Sequence, residues 1–538
     1  MWNKLWYKIN NTVIGGAFLI SFFSFLSKLF GLIRERLIAG NFGASELSDI
    51  YYSAFRLPDL IFNTFVLGAF TSAFIPVFQK LWNKSKTDGN ILANSVINAF
   101  MLFIGFLVII AIIFAPQIMP YITPGFQAWQ LAEVVNLTRI MLIAVLFFVV
   151  STVMGGILNS WKRFFSFSLA ASLYNIGIII GIIYFYPRFG LTGLAWGVLL
   201  GAAMHLVAQL PEIIKNGWRY KFVLKFDKHL KKIIKLMIPR TIGLAAGQVN
   251  LVVITMVAST LAAGSIAVFN LANNLQSLPI SLFAVSLAVA AFPTFTQAIS
   301  ENKQSLFAES FSITIRRILY ILIPISILIV ILRAQIVRVI LGTGALTWDN
   351  TLHIAQALGF FALSIFAQGL IPILARAFYA FEDTKTPTAV GIISIFINII
   401  LSFSLANIFG VIGLALAFSI SSIVNMFILY IILQNKISII DKTKILNSLL
   451  KISLLSFVAG SVTYGSLQII APLVDMQKFW GIFIQGFGSA ILGLLSYLIL
   501  SIVFRLDELD IVRKFLKKFI LYLEMEKIRN FCIIAHID

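Results

Sequence analysis

Cysteine is nearly absent. Cys532 is the single one in 538 residues, which excludes intrachain disulfides and cysteine-built metal centres. Histidine is scarce as well: His205, His229, His353 and His536 are scattered, without the spacing of metal ligands. Charged residues form only 12% of the chain, about half the share a soluble protein carries, so a soluble globular protein is excluded. Acids are the scarcer sign, 21 against 41 basic residues. No cluster of carboxylates or histidines gathers in one stretch, which argues against a membrane glycosyltransferase or phosphatase. Glu382 and Asp383 adjoin, but neighbours on a short turn need not converge on one atom. They read as a loop, with Pro387 opening the next helix.

What fills the chain is apolar, 60% of it. A membrane span needs about 20 mostly apolar residues. With that ruler the expected fold is an all-α polytopic membrane protein of fourteen spans, from about 13–38 and 49–78 through 447–471 and 479–503. The net charge of +20 does not point to nucleic acid. Its Lys and Arg concentrate in the N-terminal tail, every second loop and the C-terminal tail, the positive-inside pattern that places both termini in the cytoplasm. The opening MWNKLWYKINN is followed by no small-residue cleavage site, so it reads as a retained cytoplasmic end.

The expected organisation is a first lobe over 1–212, a basic amphipathic linker over 213–236, a second lobe over 237–435, and two further spans over 436–504. The linker alternates Lys and Arg with Trp218, Tyr220 and Phe222, as a segment lying on an anionic leaflet does. An amphipathic tail over 505–524 reads the same way. The last stretch, 525–538, resembles the opening of a translational elongation-factor GTPase. It stops before the Gly-Lys-Ser/Thr of the phosphate loop, so it holds no nucleotide site and reads as a gene-boundary accident.

An internal repeat supports the two lobes. FGLTGLAWG at Phe189–Gly197 recurs as FGVIGLALA at Phe409–Ala417, an offset of 220. Gly43 with Leu57-Pro58 recurs as Gly264 with Leu278-Pro279 at 221, Pro76 as Pro293 at 217, and Asn175 as Asn398 at 223. The offset covers an even number of spans, so both halves insert the same way up and can rock about the membrane normal with substrate between them. Pro58 and Pro279, inside the second and eighth spans, are the expected hinges.

One stretch breaks the apolar rule. Lys28 to Phe78 is built at helical spacing yet carries Lys28, Arg34, Glu35, Arg36, Glu46, Asp49, Arg56 and Asp59. Each charge inside a bilayer costs about 2.5–3.5 kcal/mol on insertion scales. Such charges face a wet cavity or a charged ligand, and a cationic pocket for an anionic substrate is the expectation. Arg36 also fits a helix end reaching the headgroups.

These residues resemble the MurJ (MviN) lipid II flippase family of the MOP exporter superfamily. The likeness runs through GLIRE at Gly31–Glu35, FGA at Phe42–Ala44, Asp49, RLPD at Arg56–Asp59 and GAF at Gly68–Phe70. It continues in GGILN at Gly155–Asn159, ANNLQSLP at Ala272–Pro279 and ARAFYAFEDTKTP at Ala375–Pro387. The resemblance implies two six-helix bundles in a V, a groove on helices 13 and 14 for an undecaprenyl tail, and movement of lipid-linked peptidoglycan precursor between leaflets. The expectation is a monomer with no cofactor and no metal. The family's essential cavity arginine matches Arg34, its following acid Glu35, its earlier basic residue Lys28, and its helix 2 acid Asp49. Substrate binding therefore falls to Lys28, Arg34, Arg56 and Asp49, with Glu35, Asp59 and Asn274 as gating or ion-pair candidates. The chain departs from the family where Phe62, Asn63 and Asn274 replace basic residues, which leaves room for another polyprenyl-linked oligosaccharide or a transport-inactive scaffold. Where sodium-coupled relatives carry acids, it has Gln248, Asn250 and Asn398, so no sodium site is expected.

Overall fold

The computed structural model describes residues 13–437 and 441–510. The stretch 511–538, with most of the expected amphipathic tail and the GTPase-like end, lies outside the described residues. Every regular element among the described residues is helical. The chain opens with α1 (Val13–Phe42), α2 (Glu46–Ala54), α3 (Arg56–Phe62) and, after a π-helical turn at Asn63–Leu67, α4 (Gly68–Lys84). Next come α5 (Lys86–Ile122), α6 (Ala128–Ser160), α7 (Phe164–Ile180), α8 (Tyr186–Phe189), α9 (Leu191–Val207) and α10 (Leu210–Lys215). The second repeat brings α11 (Lys228–Ser259), α12 (Ser265–Pro279), a π-helical turn at Ile280–Ala284, α13 (Val285–Ser300) and α14 (Gln304–Leu341). It continues with α15 (Trp348–Ala362), α16 (Ile365–Ala380), α17 (Lys385–Phe409) and α18 (Val411–Lys436), and α19 (Lys442–Ile470) and α20 (Phe479–Val503) follow.

Ten helices among the described residues are long and apolar enough to cross a membrane, and up to twelve if each of two bent pairs is one span. The expected count of fourteen needs α1 and the broken run α2–α4 as the other two, and these carry the charged stretch.

The helix ends follow from local chemistry. The Ser85 hydroxyl accepts the Asp88 N–H at the start of α5, and Asp227 accepts the N–H groups of His229 and Leu230 at the start of α11. Asp383 accepts the Thr386 N–H and hydroxyl at the start of α17. After α6, α13, α16 and α20 the chain turns through left-handed residues Lys162, Asn302, Glu382 and Arg505. Each turn is closed by a six-to-one bond such as Arg163 N–H to Leu158 O, 2.8 Å, and Leu506 N–H to Ser501 O, 3.0 Å.

Two compact units share the chain. The first holds Met1–Leu271, Ile340–Ala357 and Gly391–Ala417; the second holds Ala272–Val339, Leu358–Val390 and Phe418–Asp538. In a bilayer the tails outside are as apolar as the side chains inside, so packing and hydrogen bonds hold helices together. In the first unit the rings of Phe70, Phe74 and Phe78 stack along α4 at 4.8 and 5.1 Å and bury against α5 and α6. Helix α7 and the π-helical turn Gly181–Phe185 that follows it meet α9 backbone to backbone: a Cβ would fall 2.3 Å from Gly201 Cα on Gly177 and 2.4 Å from Gly197 Cα on Gly181.

The basic linker is held in place by polar side chains of a helix. It runs extended, strapped to α5 by Asn94 to Arg219 O, Asn98 to Val223 O and the Lys225 N–H to Ser95 Oγ. These polar side chains supply the partners that an extended backbone otherwise takes from water. Trp218 is drawn into the core of the first unit, while Tyr220, Phe222 and Phe226 stay exposed.

In the second unit Phe295, Phe307 and Phe311 form the core between α13 and α14. Helix α20 crowds α19 at Gly493, where a Cβ would overlap Thr463 Oγ1, and its Tyr497 hydroxyl donates to Tyr320 O on α14 at 3.0 Å.

Both expected hinge prolines stand just before a π-helical turn. Pro58 precedes Asn63–Leu67 and Pro279 precedes Ile280–Ala284, turns 217 residues apart. A π turn drops the regular i→i−4 bonding, and so it concentrates bending at one place in a helix.

Candidate functional site

The charged stretch resolves into three clusters in the first unit. In the first, the Arg34 guanidinium on α1 donates to Glu35 Oε1 at 2.5 Å and to Asn175 Oδ1 of α7 at 3.1 Å. Glu35 is held from its other side by the Tyr52 hydroxyl of α2, 2.5 Å from Oε2. Adjacent residues on a helix do not normally face each other. Here Tyr52 and Asn175 hold the two side chains together from outside. The Glu35 side chain is 5% exposed and that of Arg34 22%, so the acid is enclosed and the base reaches an opening. Arg34 Nε is buried with no partner among the described residues. Lys28, two turns before Glu35 on the same face of α1, is half-buried.

In the second cluster Arg56, at the start of α3, is buried and donates through Nε to Thr255 Oγ1 at 2.6 Å and through Nη2 to Asn270 Oδ1 at 2.7 Å. It therefore ties α3 to α11 and to the first turns of α12. Asp59, one turn on, makes no ion pair among the described residues and lines a cavity of about 30 Å³ with Phe55, Tyr174 and Phe148. Arg56 is thus tethered by neutral partners, and the half-buried Asp59 side chain is unbonded among the described residues.

The third cluster is at Asp49. Its Oδ2 accepts the Gly264 N–H at 2.7 Å and its Oδ1 the Ala267 N–H at 2.8 Å, so the carboxylate caps α12, whose free amides and dipole favour an anion. Gly264 stands at φ +88, and a Cβ there would fall 2.2 Å from Ala44 O. Nearby, the Ala345 N–H donates to Gly40 O at 2.8 Å, and Arg36 donates to Ile340 O at 3.1 Å rather than standing free at a helix end.

Of the residues expected to bind substrate, Arg34 and Lys28 share α1, whereas Arg56 and Asp49 are engaged with second-repeat helices. Asn274 lies in the second unit, half-buried. Asn63 reaches Gln248 only at 3.5 Å. Asn250 and Asn398 are buried, the latter accepting the Ser402 hydroxyl, and no group of three His, Cys, Asp or Glu that could hold a metal occurs among the described residues. Sequence reasoning missed Tyr52, Thr255 and Asn270 altogether. Asn175 stood out only as a repeat marker.

Known proteins resemble the chain in sequence and in fold. The family profile Lipid II flippase MurJ matches residues 38–484. The chain is 32% identical over 421 residues to a protein of Buchnera aphidicola subsp. Schizaphis graminum named "Probable lipid II flippase MurJ", covering 76% of this chain and 81% of that one. It is 27% identical over 431 residues to "Lipid II flippase MurJ" of Burkholderia cenocepacia, covering 78% and 83%. Among solved structures it resembles "Lipid II flippase MurJ, inward closed conformation" at TM-score 0.76 and 28% identity, covering 91% of this chain and 99% of that one. An inward-facing MATE transporter of the MOP superfamily, 14% identical at TM-score 0.67 and covering 78% and 96%, shares the fold.

Proposed function

Because the chain belongs to the lipid II flippase MurJ family, we propose that it carries lipid II, an undecaprenyl-diphosphate-linked glycopeptide, from the inner to the outer leaflet of the bacterial cytoplasmic membrane. The reading takes the chain as a monomeric transporter with both termini cytoplasmic. It rests most on Arg34: a half-buried arginine with one nitrogen unpartnered among the described residues, held by a carboxylate that a diphosphate can replace. Phosphate matches the guanidinium fork as well as a carboxylate does, and its added charge favours the exchange where water is sparse.

In this reading Lys28 adds a second positive charge along α1, and Arg56 joins the cargo by giving up Thr255 and Asn270. Positive-inside topology puts the α1–α2 turn on the outer side, so the Asp49 cap on α12 acts as the outer latch. Its release lets the helices bend at the π-helical turns beyond Pro58 and Pro279.

The test is rescue of a cell depleted of its own lipid II flippase. Wild type restores growth and Arg34→Ala does not at equal protein level; rescue by Arg34→Ala overturns the reading. The uncharged Asn63 and Asn274 favour one second reading, an exporter of a different polyprenyl-linked oligosaccharide. Under that reading wild type also fails to rescue.

A further inference from the structure

The second unit holds a polar pocket that the transport reading does not use. Lys444, Asn447, Ser448 and Lys451 recur on α19 at spacings of three and four, which puts them on one helix face. Together with Arg316 of α14 and Arg505–Glu508 beyond α20 they line a cavity of about 220 Å³. The two acids are already committed. Arg316 donates to Glu508 at 2.6 Å and to Asp507 at 3.3 Å, and Glu508 also accepts the Ser448 hydroxyl at 2.6 Å. No carboxylate among the described residues pairs with Lys444, Lys451 or Arg505. Arg316 is 6% exposed, and its Nε has no partner among the described residues.

Arg505 occupies φ +49 beyond the end of α20, the same left-handed position that Lys162, Asn302 and Glu382 hold after α6, α13 and α16, and one that glycine adopts without strain.

The surroundings indicate an amphipathic ligand. Leu446, Leu450, Leu454 and Phe457 form an exposed apolar stripe on α19, and Ile502, Val503 and Phe504 are exposed at the end of α20. From Lys444 to Lys451 the helix rises about 10 Å. The headgroup layer is roughly 5–8 Å deep on each side of the hydrocarbon, and lysine side chains extend that reach.

We propose that this pocket binds a phosphate-bearing lipid headgroup, its phosphate among Lys444, Lys451 and Arg505 and its chains along the α19 stripe. The site is distinct from the Arg34 cluster, and its occupancy does not require translocation.

The test uses native mass spectrometry of the purified full-length chain, titrated with dioleoyl phosphatidylglycerol, dioleoyl phosphatidylcholine, undecaprenyl phosphate or inorganic phosphate. Wild type is expected to retain one phosphatidylglycerol at least tenfold more tightly than phosphatidylcholine. Lys444→Gln/Lys451→Gln and Arg505→Gly should each abolish that preference. Glycine suits the Arg505 backbone, so this variant keeps its fold, checked by its unfolding temperature, and decides the matter if the double variant does not fold. Tighter retention of undecaprenyl phosphate, lost in the same variants, supports the site and names a polyprenyl carrier as the source. Equal retention by wild type and Arg505→Gly overturns the proposal, as does binding of inorganic phosphate alone.

Discussion

Replacing Asp49 by asparagine keeps the shape of the side chain and removes its charge. In the native chain both carboxylate oxygens accept backbone amides, Gly264 at 2.7 Å and Ala267 at 2.8 Å, with the carboxylate almost wholly enclosed. Asparagine keeps one acceptor and turns an NH2 donor toward the other amide. The lost bond to a charged group is worth about 1.5–3 kcal/mol, and the helix dipole adds about 0.3–1 kcal/mol. Together these give about 2–4 kcal/mol, or a shift of roughly 30- to 700-fold from latched toward released. Ser265, 5% exposed at the start of α12, reports the shift. In a Cys532→Ser background, Ser265→Cys should react with a membrane-impermeant maleimide at least tenfold faster when Asp49 is asparagine. An unchanged rate at equal protein level would refute the latch.

Arg34→Ala leaves Glu35 enclosed beside Tyr52 with no cation, a loss of about 3 kcal/mol or more, so its unfolding temperature should fall. Arg34→Gln/Glu35→Gln removes both charges, and in thermal unfolding it should recover most of that loss while leaving transport at background. Gly181→Val drives side-chain atoms into the Gly197 backbone, and reduced yield of folded protein on size exclusion is the expected result. Asp383 lies in a loop, where burial alone would raise its pKa. The Thr386 N–H and hydroxyl and Lys436 outweigh that and hold the carboxyl below its ordinary value. A depressed folded pKa means that the cap stabilises at neutral pH, where the carboxylate is charged, and that its contribution is lost as pH falls below about 4. Asp383→Ala should therefore cost about 1 kcal/mol at pH 7, and the difference from wild type should shrink steadily as denaturation is run at pH values below about 4.

The membrane class, the lobe repeat and the charged opening pair were legible because each leaves a mark in residue type: long apolar runs, an offset of about 220, and charges where a span should have none. The partners were not. Asp49 binds backbone N–H groups, which every residue but proline carries, so nothing at Gly264 or Ala267 announces the contact. Thr255 and Asn270 sit about 200 residues from Arg56 and look like ordinary polar positions in helices. The linker's alternating charges suggested a leaflet-lying segment and gave no sign of its ties to Asn94, Ser95 and Asn98 on a different helix. The π-helical turns beyond Pro58 and Pro279 were not legible from the prolines alone.

The proposed transport depends most on Arg34 exchanging Glu35 for the cargo's diphosphate. Binding of lipid II to the purified chain, measured for wild type and for Arg34→Gln/Glu35→Gln, tests this directly. Tight binding by wild type and at least tenfold weaker binding by the folded double variant is the predicted result. Equal affinity in the two would contradict it.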